Sequence, residues 1–252
     1  MFTCFLVGTA GSGKSTLTQA YANWLTRNQF NVALVNLDPG VRRLPYAPDV
    51  DIRDYVSLEE VMDKYDLGPN GGLIASIDMM ANYISEFKEE IEELKPTYVL
   101  ADTPGQLELF AFRSTGPLVT TAISGESSCL VFLMDPLLSR SPTGFVSMIL
   151  LSASVEYRFN LPQINVLSKA DTLTEDEIER IVEWVEDPQT LLNAIDQEAT
   201  GVRREISINL GEIFANAGFL REIIPLSSLT FQGLDNLYAV VERIYTDREG
   251  FI

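Results

Sequence analysis

Eight residues near the start of the chain, Gly8-Thr9-Ala10-Gly11-Ser12-Gly13-Lys14-Ser15, have the types and spacing of a phosphate cradle. Closely spaced glycines let successive backbone N–H groups curl around anionic oxygens, and the N-terminus of a following helix adds a positive dipole. In this GxxxxGK[ST] pattern, a P-loop, Lys14 is placed to bridge β- and γ-phosphates and Ser15 to give a hydroxyl to Mg²⁺. Gly11, Ser12, Gly13, Lys14, Ser15 and Thr16 are therefore the expected nucleotide contacts. A plain Gly-rich turn is the competing reading. The loop nevertheless joins a strand pattern over 2–7 to a helical pattern from Lys14 to Arg27, which is the setting the mechanism requires.

Two further segments carry chemistry. Asp102-Thr103-Pro104-Gly105-Gln106 follows the apolar run Tyr98-Val99-Leu100-Ala101, so Asp102 stands at the end of a strand, where a carboxylate can hold Mg²⁺ through water. Gly105 can offer its backbone N–H to a γ-phosphate, which makes the segment a switch of the order–disorder type. Leu167-Ser168-Lys169-Ala170-Asp171 also follows a strand pattern, and a carboxylate there can accept from guanine N1–H and the exocyclic amine, a contact adenine does not return. The segment resembles the NKxD motif of guanine readers, with Ser168 in place of Asn. Lys169 is left to pack on the base and Asp171 to read it. Ser227-Ser228-Leu229 resembles the loop that closes over the base, with Ser227 as its contact; each of these pieces also reads as an ordinary strand-to-helix turn.

The elements that must position these residues alternate along the chain. Short apolar runs at 2–7, 32–36, 98–101, 129–134, 164–167 and 223–226 are separated by helical stretches, as in a mainly parallel sheet covered on both faces. The expectation is one α/β domain over 1–252, a three-layer P-loop NTPase fold with a helical insertion at about 41–96. Within that insertion, Ser57-Leu58-Glu59-Glu60 predicts a capped short helix that stops at Gly68-Pro69. A second helix runs from about Leu73 to Leu94 and closes before Pro96.

Composition narrows the classes. With 36 acidic and 18 basic residues, the net charge of −18 argues against bulk nucleic-acid binding and against an anionic membrane surface. The chain has no His, so no His-based triad and no Cys/His zinc site can form. Cys4 and Cys129 lie inside strand patterns and read as buried thiols of a reduced, cytoplasmic protein. The apolar start lacks a basic leader and is the first strand, and no run approaches the ~18 apolar residues of a membrane span.

Taken together, the P-loop, Asn36-Leu37-Asp38-Pro39-Gly40, Gly68-Pro69-Asn70, Asp102-Thr103-Pro104-Gly105-Gln106 and Ser168-Lys169-Ala170-Asp171 resemble the GPN-loop GTPases, P-loop NTPases of the SIMIBI class. The likeness runs along nearly the whole chain. It implies a Mg²⁺-dependent enzyme that hydrolyses GTP to GDP and phosphate, and a homodimer in which each Gly68-Pro69-Asn70 loop reaches the other subunit's nucleotide. Asn70 would then donate to the γ-phosphate and accept from attacking water in trans, without the charge of an arginine finger. Asp38 resembles the family's switch-I acid, which orients or deprotonates water or completes the metal shell. Gln106 is the other water-positioning candidate, since its amide donates and accepts, and Glu108 is a lesser one. Arg42 and Arg43 read as surface ion-pair residues.

The resemblance also implies a role in assembling or remodelling protein complexes, RNA polymerase among them in eukaryotic relatives. Two other classes share the loop: a P-loop phosphotransferase, and a nucleotide-gated binding module with negligible turnover. A kinase usually carries a mobile Arg-rich lid, and no such segment is evident here.

Overall fold

The computed structural model of the protein describes residues 1–124 and 127–249. Strand β1 (Phe2–Gly8) leads through the P-loop into α1 (Lys14–Arg27), which returns to β2 (Val32–Asn36). A two-residue strand β3 (Val50–Asp51) precedes three helices, α2 (Leu58–Tyr65), α3 (Pro69–Met79) and α4 (Ile84–Glu93). Then come β4 (Tyr98–Asp102), α5 (Leu107–Ala111), α6 (Thr115–Ile123), β5 (Ser127–Met134), α7 (Pro136–Ser139), α8 (Pro142–Phe159) and β6 (Gln163–Leu167). The chain closes with α9 (Glu175–Glu186), α10 (Pro188–Glu198), α11 (Gly201–Asn216), β7 (Ile223–Pro225) and α12 (Leu234–Glu249).

Among the described residues seven strands form one sheet in the order β3-β2-β4-β1-β5-β6-β7, and their pairings are parallel. Parallel strands need helical crossovers that cover both faces, so strand residues of either parity are apolar. In β1, Phe5 and Val7 enter the core on one face, while Phe2, Cys4 and Leu6 enter the core on the other. The second face is covered by α1 and α12 through Leu17, Tyr21, Leu25, Leu237 and Val241. The first face takes side chains from α3 to α6 and α8 to α11, including Phe110, Phe145 and Trp184. Cys4 and Cys129 stand side by side on paired strands as free buried thiols, 3.8 Å apart. Among the described residues no helix is long and apolar enough to cross a membrane.

The strand patterns form within a residue or two of expectation, and α1 spans the predicted residues. The helices between β3 and β4 differ. Helix α2 ends at Tyr65, earlier than predicted, because Asp66 turns into the left-handed conformation at φ 53°. Gly68 is then the N-cap of the next helix, with Pro69 in its first turn, where a missing N–H costs nothing and the fixed φ suits the helix. Asn70, Gly71 and Gly72 are therefore helical, and this helix starts at Pro69, ahead of the expected Leu73. The expected continuous helix from Leu73 to Leu94 is interrupted by a 3₁₀ turn at Met80–Tyr83, which separates α3 from α4. Strand β3 is too short for any alternation to reveal it.

Candidate functional site

The site lies along the carboxyl ends of β1, β2, β4 and β6. At its centre the P-loop has Gly11 at φ 75° and Gly13 at φ 100°, left-handed conformations that a side chain would strain. A Cβ on Gly11 would meet nothing within 4 Å, so the backbone there is open to a ligand. Gly13 caps α1 and aims the helix N-terminus into the loop. Lys14 is buried and donates to the Gly8 carbonyl at 2.9 Å, the Thr9 carbonyl at 3.1 Å and the Gly105 carbonyl at 3.5 Å. Burial lowers the Lys14 ammonium, and the charges of Asp102 and Asp38 oppose that shift.

Asp102 ends β4 beside the P-loop, in register with Leu6 of β1 and Asn36 of β2. Burial pushes its carboxyl up to about 6, against the pull of the Ser15 and Tyr46 hydroxyls and of Lys14. Tyr46 donates to Oδ2 at 3.0 Å, and burial, then the Asp102 charge, pushes that phenol well above its ordinary range. Oδ1 is buried and has no hydrogen-bond partner. An orphaned carboxylate oxygen next to a P-loop hydroxyl is the donor set of a hard divalent cation that takes most of its ligands from water and phosphate. No group of three or more acidic, Cys or His side chains placed to hold a metal ion occurs among the described residues, so an all-protein cage is not on offer. The residues fit Mg²⁺ held by Ser15 and Asp102.

Asp38 joins the two segments that flank the loop. Its Oδ1 accepts from the Gly40 amide at 2.8 Å, and its Oδ2 accepts from the Gly105 amide at 3.0 Å. The Gly105 N–H assigned to phosphate from sequence is thus donated to Asp38 in this structure. Behind Asp38, the Asn36 side chain donates to the Asp38 carbonyl at 3.2 Å and to Asp51 Oδ1 at 2.8 Å. Asp51 in turn pairs with Arg53, which also donates to the Val41 carbonyl at 3.1 Å. Gln106 and Glu108 are exposed at the start of α5, and Gln106 is its N-cap residue without a side-chain cap bond. Arg42 and Arg43 are exposed and, among the described residues, neither forms an ion pair, which corrects the expectation from sequence.

On the base side, Lys169 adopts φ 51° and reaches across Gly13 to donate to the Gly11 carbonyl at 2.6 Å. Ser168 is buried and donates to the Met134 carbonyl at 2.9 Å, so it anchors the turn to β5. Asp171 is exposed. It lines a pocket of about 180 Å³ with Thr16, Leu17, Lys169, Ser228 and Leu229. The Ser227 hydroxyl lies behind this wall and accepts from the Leu229 and Thr230 amides at 3.3 and 3.2 Å. Asn70 stands apart from these residues, exposed on the first turn of α3. Its helix does touch the site's rim: a Cβ on Gly40 would sit 2.8 Å from Leu73 Cδ1.

Tyr46, Asp51 and Arg53 carry no functional signal in the amino-acid sequence. Tyr46 lies in Leu44-Pro45-Tyr46-Ala47-Pro48, a bent stretch with no chemical pattern, and the Asp51–Arg53 pair gains meaning only when β3 docks beside β2.

A family model described as "Conserved hypothetical ATP binding protein" matches residues 6–247. GPN-loop GTPase 1 of Dictyostelium discoideum is 31% identical over 239 residues, covering 92% of this chain. The chain spans 59% of that protein's length. GPN-loop GTPase PAB0955 of Pyrococcus abyssi is 32% identical over 247 residues, with 95% of each chain covered. The crystal structure of PAB0955, a GTPase in apo form, matches with a TM-score of 0.86 at 30% identity over 97% of both chains.

The buried carboxylate yields a prediction for stability. Because the Asp102 carboxyl in the fold lies above its ordinary value of 3.8, the ionised form is disfavoured there, and nucleotide-free, metal-free protein loses stability as pH rises from about 4 through about 6. Asp102→Asn keeps an acceptor for Tyr46 and removes the charge. The variant is expected to exceed the parent in chelator-treated stability at pH 7.5, by up to about 3 kcal/mol. Urea denaturation at pH 5 and 7.5 checks this, with the gap narrowing towards pH 5.

Proposed function

Because this chain belongs to the GPN-loop GTPase family, we propose that it binds GTP and hydrolyses it to GDP and phosphate at the strand ends just described. The observation that carries this reading is the 3.0 Å hydrogen bond from the Gly105 amide to Asp38, beside a Lys14 ammonium 3.5 Å from the Gly105 carbonyl. It gathers both flanking segments onto the P-loop, where a γ-phosphate would lie.

A bound triphosphate offers oxygens to the same Gly105 amide and to Lys14. The amide then exchanges Asp38 for phosphate, and the freed carboxylate can accept a proton or a hydrogen bond from water. Gln106, one residue on, has an amide that both donates to and accepts from that water. As the water oxygen bonds to the γ-phosphorus, the bond to the β–γ bridging oxygen breaks, and Lys14 balances charge on the departing diphosphate. Mg²⁺ held by Ser15 and Asp102 would neutralise phosphate charge. Lys169 lies along the loop to pack on the base, and Asp171 on the pocket wall reads guanine.

The helix carrying Asn70 abuts Gly40, two residues beyond Asp38, so a contact made at Asn70 bears on the catalytic segment. We place that contact in a homodimer, with Asn70 of each subunit serving the other's phosphate. Such a nucleotide-controlled dimer suits the assembly or remodelling of protein complexes, RNA polymerase being the candidate by resemblance. The free thiols suit a cytoplasmic location.

Purified protein given GTP or ATP with Mg²⁺ tests the reading. Phosphate is expected to appear in water from GTP in preference to ATP, and Asp171→Ala is expected to lower the guanine preference by about tenfold or more. Label arriving on an added acceptor instead of water would make the protein a phosphotransferase. The dimer has its own test: Lys14→Ala and Asn70→Ala variants, each weak alone, regain activity when mixed, since one site of the mixed dimer has both residues intact. Absence of recovery after verified subunit exchange refutes the trans arrangement.

A further inference from the structure

Segment Val41–Asp49, between β2 and β3, lies against α1 and delivers one side chain to the site. Gln19 of α1 donates its side-chain amide to the Pro45 carbonyl at 2.5 Å. The next residue, Tyr46, donates its hydroxyl to Asp102 Oδ2 at 3.0 Å, across a separation of 56 positions in the chain. This contact distinguishes the two oxygens of the carboxylate. Oδ2 has a fixed donor, whereas Oδ1 is buried without a partner. A carboxylate hydrogen-bonded through one oxygen is held against rotation, which leaves the other as the constant acceptor.

Orientation matters more at this site than in a cation cage. Among the described residues no group of three or more acidic, Cys or His side chains is placed to hold a metal ion, so one hydroxyl and one carboxylate must suffice with water and phosphate. We infer that Tyr46 is a positioning residue for the divalent cation: its hydroxyl fixes Asp102 so that Oδ1 is left to accept from the cation's water shell. The inference rests on the reading of Ser15 and Asp102 as the metal residues. It assigns a role to the segment after Asp38 that the hydrolysis scheme does not use. It also ties cation binding to α1, because Gln19 holds the turn that carries the phenol.

Tyr46→Phe removes the hydroxyl and keeps the ring. Binding of a fluorescent GDP analogue is titrated with Mg²⁺ and repeated in EDTA, and Mn²⁺ binding is counted by electron paramagnetic resonance. The expected result is a rise of about tenfold in the Mg²⁺ concentration for half-maximal effect, in the range for loss of an outer-shell partner, with affinity in EDTA unchanged. An unchanged Mg²⁺ requirement overturns the inference, and so does an equal loss with and without Mg²⁺, which marks a general structural role. If Tyr46→Phe does not fold, Tyr46→Leu, which also lacks the hydroxyl, carries the same titration, and an unchanged requirement there overturns the inference. Ser15→Ala separates the two levels. If it loses the Mg²⁺ response and Tyr46→Phe does not, only the role of Tyr46 falls; if Ser15→Ala keeps the parent's Mg²⁺ requirement, the metal site falls and the inference with it.

Discussion

Parallel pairing obliges all seven strands to point the same way, so their carboxyl ends line one edge of the sheet. Every polar group of the site depends on that constraint. Gly8 ends β1 and opens the P-loop, Asn36 and Asp38 follow from β2, Asp102 ends β4, and Ser168 follows β6. In register, Asn36 stands opposite Asp102, which stands opposite Leu6. Residues far apart in sequence meet because the hydrogen-bond ladder allows them no other place. Burial of both sheet faces then makes a shift of register costly, since apolar side chains of either parity are already packed.

Charge is concentrated where the sheet ends. Lys14 and Asp102 are both buried, and burial disfavours each in its ionised form. Their surroundings compensate in different ways: Lys14 is saturated by backbone carbonyls, whereas Asp102 keeps one oxygen without a donor. A site left short of positive charge beside a phosphate cradle is suited to a nucleotide arriving with a divalent cation. The same imbalance makes Asp102 a liability to the protein without ligand. Function and stability pull in opposite directions at this residue.

The helices between β3 and β4 are not a detached appendage. Leu73 packs against Gly40, next to the segment held by Asp38. At the other end of α3, Asp78 pairs with Arg113 and accepts from Thr115, at the start of α6 and shortly after the segment of Gly105 and Gln106. One helix therefore touches Gly40 at its first half and the start of α6 at its far end. Behind Asp38, the chain of contacts through Asn36, Asp51 and Arg53 to the Val41 carbonyl stiffens the Asp38 segment from within the sheet.

The amino-acid sequence by itself determined the P-loop, the alternation of strands and helices, and Asp102, Lys169 and Asp171 as candidates, because each is a local pattern. A strand buried on both faces needs an apolar run, and a phosphate cradle needs glycines and a lysine at fixed spacing. Local pattern also located Gly68-Pro69-Asn70, although its first-turn position in a helix emerged only from the cap at Gly68. Only the tertiary structure decided that Gly105 donates to Asp38, that Tyr46 holds Asp102, and that Arg53 reaches Asp51. Tyr46 and Asp102, like Asp38 and Gly105, share no local pattern: their pairing follows from strands brought into register and crossovers packed upon them. Arg53 lies two residues from Asp51, yet their pair joins the site through Asn36 and the Val41 carbonyl, once the two-residue β3 docks on β2. A hydrogen bond between distant segments leaves no period in the chain, which is why the cradle could be read directly while the contacts that aim it could not.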